Sequence, residues 1–364
     1  MSSSSPTSLS AAARARDHAG SGEISPKPLR GEGGLNVDVR PGKPPMLRVD
    51  APDDAPRWAA EHRDALRAAV AEHGSLLVRG LGLRDAAETE AAFRRLGSLM
   101  TEKEAFAPRR SYAPGVYSSP KWPPNQPMCM HHELSYTLEF PGLMLFACLI
   151  APTDGGATTV ADSPTVLRAL PTEPVERFER EGWLLIRNYN NEVGASIADA
   201  FGTDDRRAVE SYCRANAIEF EWQPDGALRT WQRRSAVVHH PRTGERCWFN
   251  QVAFLNEWTM DPEVREYLVD VYGEDGLPFA TRFGNGDAIG ADVVQVINEV
   301  YEANTVRERW QAGDLMLVDN VRTAHSREPF EGAREVLIAM ADAVHLADCS
   351  PTIEVTADLR SRES

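Results

Sequence analysis

From Tyr112 onward the chain is broken into short apolar runs separated by stretches rich in proline and glycine: Met144–Ile150, Trp183–Tyr189, Ala236–His239, Cys247–Asn250, Leu315–Asp319 and Val336–Ala341. Runs this short fit strands and are too brief for core helices, so this part of the chain is restricted to an antiparallel sandwich or barrel. Helical interruptions are expected at Pro164–Leu170 with Ser163 as N-cap, and at Asp205–Cys213, Pro262–Val271 and Asp292–Ala303. Two amphipathic helices precede the strands. Arg57–His73 presents Trp58, Leu66, Ala69 and Val70 and stops at Gly74; Asp85–Leu96 stops at Gly97. Between them Ser75–Arg79 reads as a buried strand. Residues 1–45, rich in Ser, Gly and Pro, hold too little apolar surface to offset ordering entropy and are expected to form a mobile arm. The expected folded domain is 46–350, followed by a tail over 351–364.

The formal charge of −15 argues against binding nucleic acid or an anionic membrane, since both need a basic surface. No eighteen-residue apolar run offers a membrane span. Cys129, Cys148, Cys213, Cys247 and Cys349 are scattered and odd in number, with no C-x-x-C pair. They read as buried thiols of a reducing compartment, and a cytoplasmic location is expected. The first twenty residues lack the apolar core of a secretory signal. No G-x-G-x-x-G follows a strand, and neither a P-loop nor a G-x-S-x-G elbow occurs.

The chemistry is concentrated in two distant segments. The first is Met130-His131-His132-Glu133-Leu134-Ser135-Tyr136. On an extended strand residues i and i+2 share a face, so His131 and Glu133 project together and His132 points away. Alone this is weak, since most H-x-E triplets bind nothing. The second segment runs from Asp319-Asn320 through His325 to Arg334. With His325 as third ligand, two histidines and a carboxylate leave three positions of a metal open, as in non-haem iron(II) oxygenases. Arg334, opening the next apolar strand, suits a site that must clamp a carboxylate with paired hydrogen bonds. Arg322 and Arg327 flank the metal loop as candidates for a substrate carboxylate, with a surface salt bridge as the competing reading. His239 and His240 read as turn or surface histidines. Trp222, Trp231, Trp248 and Trp258 read as core or lid aromatics.

Gly313-Asp314-x-x-x-x-Asp319-Asn320-x-x-x-x-His325, followed by Arg327-x-Pro329-Phe330-x-Gly332-x-Arg334, resembles the C-terminal signature of the taurine dioxygenase/clavaminate synthase-like superfamily. The His131-to-Tyr136 stretch is similar to its N-terminal half, most closely to SyrP-type hydroxylases of amino-acid and peptide biosynthesis. Gly155-Gly156-Ala157-Thr158, His240-Pro241-x-Thr243-Gly244-Glu245 and Trp248-Phe249-Asn250-Gln251 match between them, so the likeness spans Leu76 to Met340. It implies a double-stranded β-helix, a jelly roll of the cupin kind, mainly β with flanking helices. It implies iron(II) held by His131, Glu133 and His325, with 2-oxoglutarate chelating the metal and O2 as second cosubstrate. Arg334, assisted by Thr158, would clamp the distal carboxylate, and Asn250 joins Arg327 and Arg322 as a substrate-binding candidate. Two positions depart from the usual pattern: His132, where relatives usually carry Asn, and Leu255-Asn256, where an aromatic and a histidine are expected. Both bear on the substrate.

The reaction expected from the resemblance is hydroxylation of an unactivated C–H bond, because Glu133 fills the position that related halogenases leave for halide. The expected substrate is an amino acid, free or tethered to a carrier protein as an aminoacyl or peptide group, in specialised-metabolite (antibiotic) biosynthesis. The alternatives are a desaturase, epoxidase or ring-forming oxidase of the same family, a catalytically silent jelly-roll binding protein, and a zinc hydrolase using the same three ligands. The sequence leaves open whether the chain forms a homo-oligomer.

Overall fold

The computed structural model describes residues 35–190 and 192–355. The expected arm therefore lies outside the described residues up to residue 34, and the expected tail beyond 355. Val37–Asp38 already pairs with Met46–Arg48, so the fold reaches into the segment expected to be mobile.

Two sheets build the centre. The larger has eight strands, in the spatial order Val37–Asp38, Met46–Arg48, Ser75–Arg79, Leu315–Asp319, Glu139–Ile150, Glu335–His345, Val116–Ser118, Ser111–Ala113. The smaller has four, in the order Thr305–Val306, Thr158–Asp162, Thr323–Arg327, Met128–His131. The central strands of the larger sheet are buried on both faces, which is why they read as unbroken apolar runs. Along Glu139–Ile150 the alternation sorts the faces. Leu143, Leu145 and Ala147 pack with Leu66, Val70, Phe93 and Leu96 of the N-terminal helices. Met144, Phe146 and Cys148 join Met128, Met130 and Val160 of the smaller sheet in a second core. Two facing sheets, antiparallel except where Met46–Arg48 runs parallel to Ser75–Arg79, with helices on the outer face of one, form the jelly roll expected.

A further four-stranded sheet, Glu219–Trp222, Leu228–Arg234, Trp183–Tyr189, Phe279–Phe283, is inserted between the strands of the smaller one. Several local expectations are corrected. The helix read over Arg57–His73 is two, Ala55–Glu61 and Arg63–His73. The chain breaks at His62, whose ring contacts the Trp58 carbonyl at 2.9 Å and stacks on the Trp58 indole. The helix after the Gly-Gly turn is Ser163–Ala169, and its N-cap is Asp162, whose carboxylate accepts from the Thr165 N–H; Ser163 lies inside. Two central strands are longer than their apolar runs, because Glu139–Ile150 and Glu335–His345 pair far past them.

Candidate metal centre and cosubstrate site

In the smaller sheet, the pairing of Thr323–Arg327 with the edge strand Met128–His131 sets His325 directly opposite His131. Their imidazoles meet with ring centroids 4.4 Å apart. Glu133 arrives differently from the expectation. The strand ends at His131, and Glu133 lies in the turn that follows, where Leu134 adopts a left-handed φ of 54°. The turn is held by the buried Asn320 side chain. Its Oδ1 accepts from the Glu133 N–H at 2.8 Å, and its Nδ2 donates to the Glu133 and Pro141 carbonyls at 3.0 and 2.9 Å. Glu133 Oε2 then lies 3.7 Å from His131 Nε2 and 3.5 Å from His325 Nε2. One ligating atom from each of the three buried residues falls within 4.8 Å of the others.

The electrostatics suit a cation at that point. His131 Nδ1 faces the Cys129 carbonyl at 2.8 Å, so it carries the proton and leaves the Nε2 lone pair free. Burial, reinforced by the nearby His131, lowers His325 to about 4, so His325 is a neutral donor at pH 7. Burial pushes Glu133 upward, but Arg109 and the two imidazoles outweigh it and hold the carboxyl well below its ordinary range. Two imidazole nitrogens and one carboxylate oxygen meeting at one point match the ligand set of a non-haem iron(II) centre.

His132 points away as expected. It is fully buried, its Nδ1 donates to the Asn320 carbonyl at 2.5 Å, and its Nε2 accepts from Ser163 Oγ at 2.7 Å. Burial lowers it to about 3. It braces the ligand turn. His240, read as a surface histidine, is instead buried, with its Nε2 3.0 Å from Asp319 Oδ2, beside Asn320.

Arg334 and Arg327 line the same cavity as the three ligands. Arg334 donates from Nε to the Gly156 carbonyl at 2.9 Å, from Nη1 to Ser119 Oγ at 3.1 Å, and from Nη2 toward Thr158 Oγ1 at 3.5 Å. Gly156 is left-handed at φ +69°, and a Cβ there would lie 3.2 Å from Arg334 Cδ, so glycine makes room for the guanidinium. Arg327 donates to the Trp122, Pro123 and Gln126 carbonyls. Neither arginine has a carboxylate among these partners, and burial lowers both to about 10. Two buried cations without an acidic partner beside a metal-ligand set fit a dianion such as 2-oxoglutarate. Arg109, Ser119 and Thr158 complete the lining of this cavity beside the three ligands.

A larger cavity of about 620 Å³ adjoins it. Phe254 lines that cavity and stacks on the His131 ring at 4.6 Å, forming the partition between the two. Phe106, Trp122 and Phe279 make it aromatic, while Lys121 and Asp261 add charge to its wall. Two sequence candidates are engaged elsewhere. Arg322 pairs with Asp162 at 3.1 Å and donates to the Ala71 and Glu72 carbonyls. Asn250 donates to the Ala236 carbonyl and accepts from the Val252 N–H. Neither lines the two cavities. Three residues escaped the sequence reading: Asn320 as the clamp of the ligand turn, Phe254, and Arg109, which donates from Nη2 to Glu133 Oε1 at 2.7 Å. The Asp319-Asn320 pair within the second motif was the available signal for Asn320. Nothing in Pro108-Arg109-Arg110 marks Arg109.

The profile of the taurine catabolism dioxygenase TauD, TfdA family matches residues 38–340. The dapdiamide synthesis protein DdaC of Enterobacter agglomerans is 34% identical over 281 residues, covering 76% of this chain and 84% of that protein. A clavaminate synthase-like protein of Arabidopsis thaliana is 28% identical over 284 residues, covering 74% and 82%. Among solved structures, the PvcB protein of Pseudomonas aeruginosa aligns over 94% of this chain and 100% of its own, with TM-score 0.48 and 17% identity.

Proposed function

The chain belongs to the taurine catabolism dioxygenase TauD, TfdA family, and from that premise we propose that it hydroxylates an unactivated C–H bond of an amino acid, free or carrier-tethered as an aminoacyl or peptide group. As a member of that family it is an iron(II)- and 2-oxoglutarate-dependent dioxygenase. The supporting observation is the meeting of His131, Glu133 and His325 beside a cavity large enough for an amino-acid side chain, with Phe254 shared between the two.

In this reading His131, His325 and Glu133 hold the iron, and Arg334, supported by Thr158, clamps the distal carboxylate of 2-oxoglutarate. Bound there, metal and cosubstrate let dioxygen place one oxygen atom in the C–H bond and the other in succinate, with release of carbon dioxide. The protein's own contribution is positioning. Phe254 fixes the His131 ring, the aromatic wall excludes water, and Asn320 holds the Glu133 turn. Arg327 ties the Trp122–Gln126 segment, a wall of the larger cavity, to the metal strand. The likeness to a dapdiamide synthesis protein supports a place in specialised-metabolite biosynthesis.

The test is a screen for succinate release over amino acids and carrier-bound aminoacyl groups, followed by mass spectrometry under isotopically labelled dioxygen. A hydroxylase gives substrate-dependent succinate and a product heavier by one labelled oxygen. Chloride in the product, loss of two hydrogens without oxygen gain, or the absence of substrate-dependent succinate throughout the screen would each overturn the reading.

A further inference from the structure

We propose that Arg109 is a positioning residue that keeps Glu133 a one-oxygen donor and thereby holds open the metal position that 2-oxoglutarate needs. The proposal rests on the reading of the site as an iron and 2-oxoglutarate centre. It starts from how the Glu133 carboxylate is divided. Oε1 accepts from Arg109 Nη2 at 2.7 Å, whereas Oε2 is the oxygen facing both imidazole Nε2 atoms. A carboxylate whose two oxygens are both free can chelate a cation with the pair. Here one oxygen is occupied by a charge-assisted hydrogen bond, so the other alone faces the metal position.

The guanidinium cannot easily leave. Its side chain is only 6% exposed, and Glu102 Oε1 stands 3.2 Å from Nε. Glu102 and Glu133 together hold Arg109 in its charged form despite burial. The consequence follows from counting positions. Three single-atom donors on a six-coordinate ion leave three sites, and a chelating 2-oxo acid fills two of them. A chelating Glu133 would leave two, so the cosubstrate would take both and dioxygen would have none. Arg109 Nη1 adds a second feature. It is buried without a hydrogen-bond partner, and Arg109 lines the same cavity as Arg334. An anionic oxygen entering beside the metal meets a donor that the protein itself leaves unused.

The experiment compares the full-length wild type with Arg109→Gln. Removing the arginine alone strands Glu102, so Glu102→Gln/Arg109→Gln is made as a second variant that lowers the buried negative charge. Manganese(II) affinity is measured by calorimetry. 2-Oxoglutarate affinity is measured anaerobically from the visible charge-transfer absorption of the iron(II) enzyme. Both variants are expected to bind 2-oxoglutarate about tenfold or more weakly, with altered absorption, while manganese affinity, regained in part through the second Glu133 oxygen, falls by clearly less. A purely structural role for Arg109 predicts that both affinities fall in step, and that result overturns the proposal. So does a 2-oxoglutarate affinity equal to wild type in the double variant. A wild type that binds neither manganese nor 2-oxoglutarate would instead overturn the underlying reading of the site, and the proposal with it.

Discussion

At the scale of single residues, the cosubstrate end of the site rests on two arginines whose surroundings differ. Arg327 spends its guanidinium on three backbone carbonyls. Arg334 holds one carbonyl and two hydroxyls, groups that an arriving carboxylate can join without displacing a structural bond. Arg334→Ala is therefore expected to raise the 2-oxoglutarate requirement about a hundredfold or more, since breaking a buried charge pair costs about 3–5 kcal/mol. Manganese affinity should stay close to wild type, because Arg334 is not among the metal donors. Arg327→Met should act on the other substrate, through the released Trp122–Gln126 wall. Steady-state kinetics with each substrate varied in turn separates the two. An Arg334→Ala enzyme with an unchanged 2-oxoglutarate KM would move the clamp to Arg327.

At the scale of elements, the ligand turn depends on one side chain that reaches across sheets. Asn320 satisfies an N–H with its oxygen and two carbonyls with its nitrogen, all in a fully buried site. Asn320→Asp keeps the shape but turns a second oxygen toward the Glu133 and Pro141 carbonyls. It is expected to destabilise the protein by about 2–4 kcal/mol, more than one ordinary lost hydrogen bond, and to weaken metal binding in parallel. Urea unfolding and metal titration check both. Gly156→Ala is the companion test at the Gly-Gly turn. Its Cβ would crowd Phe330 and Pro152 at 2.9 and 2.8 Å in a left-handed backbone, and push on Arg334. A several-fold loss of 2-oxoglutarate affinity with intact metal binding is expected; binding at wild-type strength would mean that the turn gives way elsewhere. These elements also show what the sequence makes legible. Ser75–Arg79, Trp183–Tyr189 and Leu315–Asp319 are read with their true limits because burial on both faces leaves unbroken apolar runs. His131 and His325 are legible because strand periodicity and motif order both point at them. Glu133 was given the right direction from the wrong geometry, since the hydrogen bonds bending its turn come from a residue nearly two hundred positions away. Arg109 left no trace for the same reason: its partner Glu133 is defined by folding, and the Pro108-Arg109-Arg110 segment has no period. The break at His62 was missed because apolar spacing continues across it.

At the scale of the whole molecule, the inserted sheet must be joined to the jelly roll that carries the metal ligands, and the joint is a buried acid. Glu104 is fully buried with a left-handed φ of 56°. Its carboxylate accepts from Gln232 of the inserted sheet and from Tyr212 at 2.9 Å. Its carbonyl accepts from Arg187 of that sheet at 3.1 Å, and from Tyr136, just past the Glu133 turn, at 2.8 Å. Burial raises the Glu104 pKa, and its hydrogen bonds together with Arg234 and Arg187 recover only part of that shift. The folded state thus holds this proton more tightly than the unfolded chain, whose value is near 4.5. Between 4.5 and the raised folded value the native state binds more protons, so this group's contribution to stability falls as pH rises. Below 4.5 both states are protonated and the penalty vanishes. Glu104→Gln keeps the shape and removes the titration. The wild type should therefore gain stability relative to this variant as pH is lowered from 8 to 4.5, by at most about 1.4 kcal/mol for each pH unit inside the window. The difference between the two proteins matters here, because buried groups common to both, such as His132 with its lowered pKa, change stability equally in each and cancel. Urea unfolding of both proteins at closely spaced pH values gives the slope. A difference that stays flat across that range, or that grows in favour of the variant as pH falls, would show that Glu104 is held charged by Arg187 and Arg234 and that the joint between the two sheets is an ion pair.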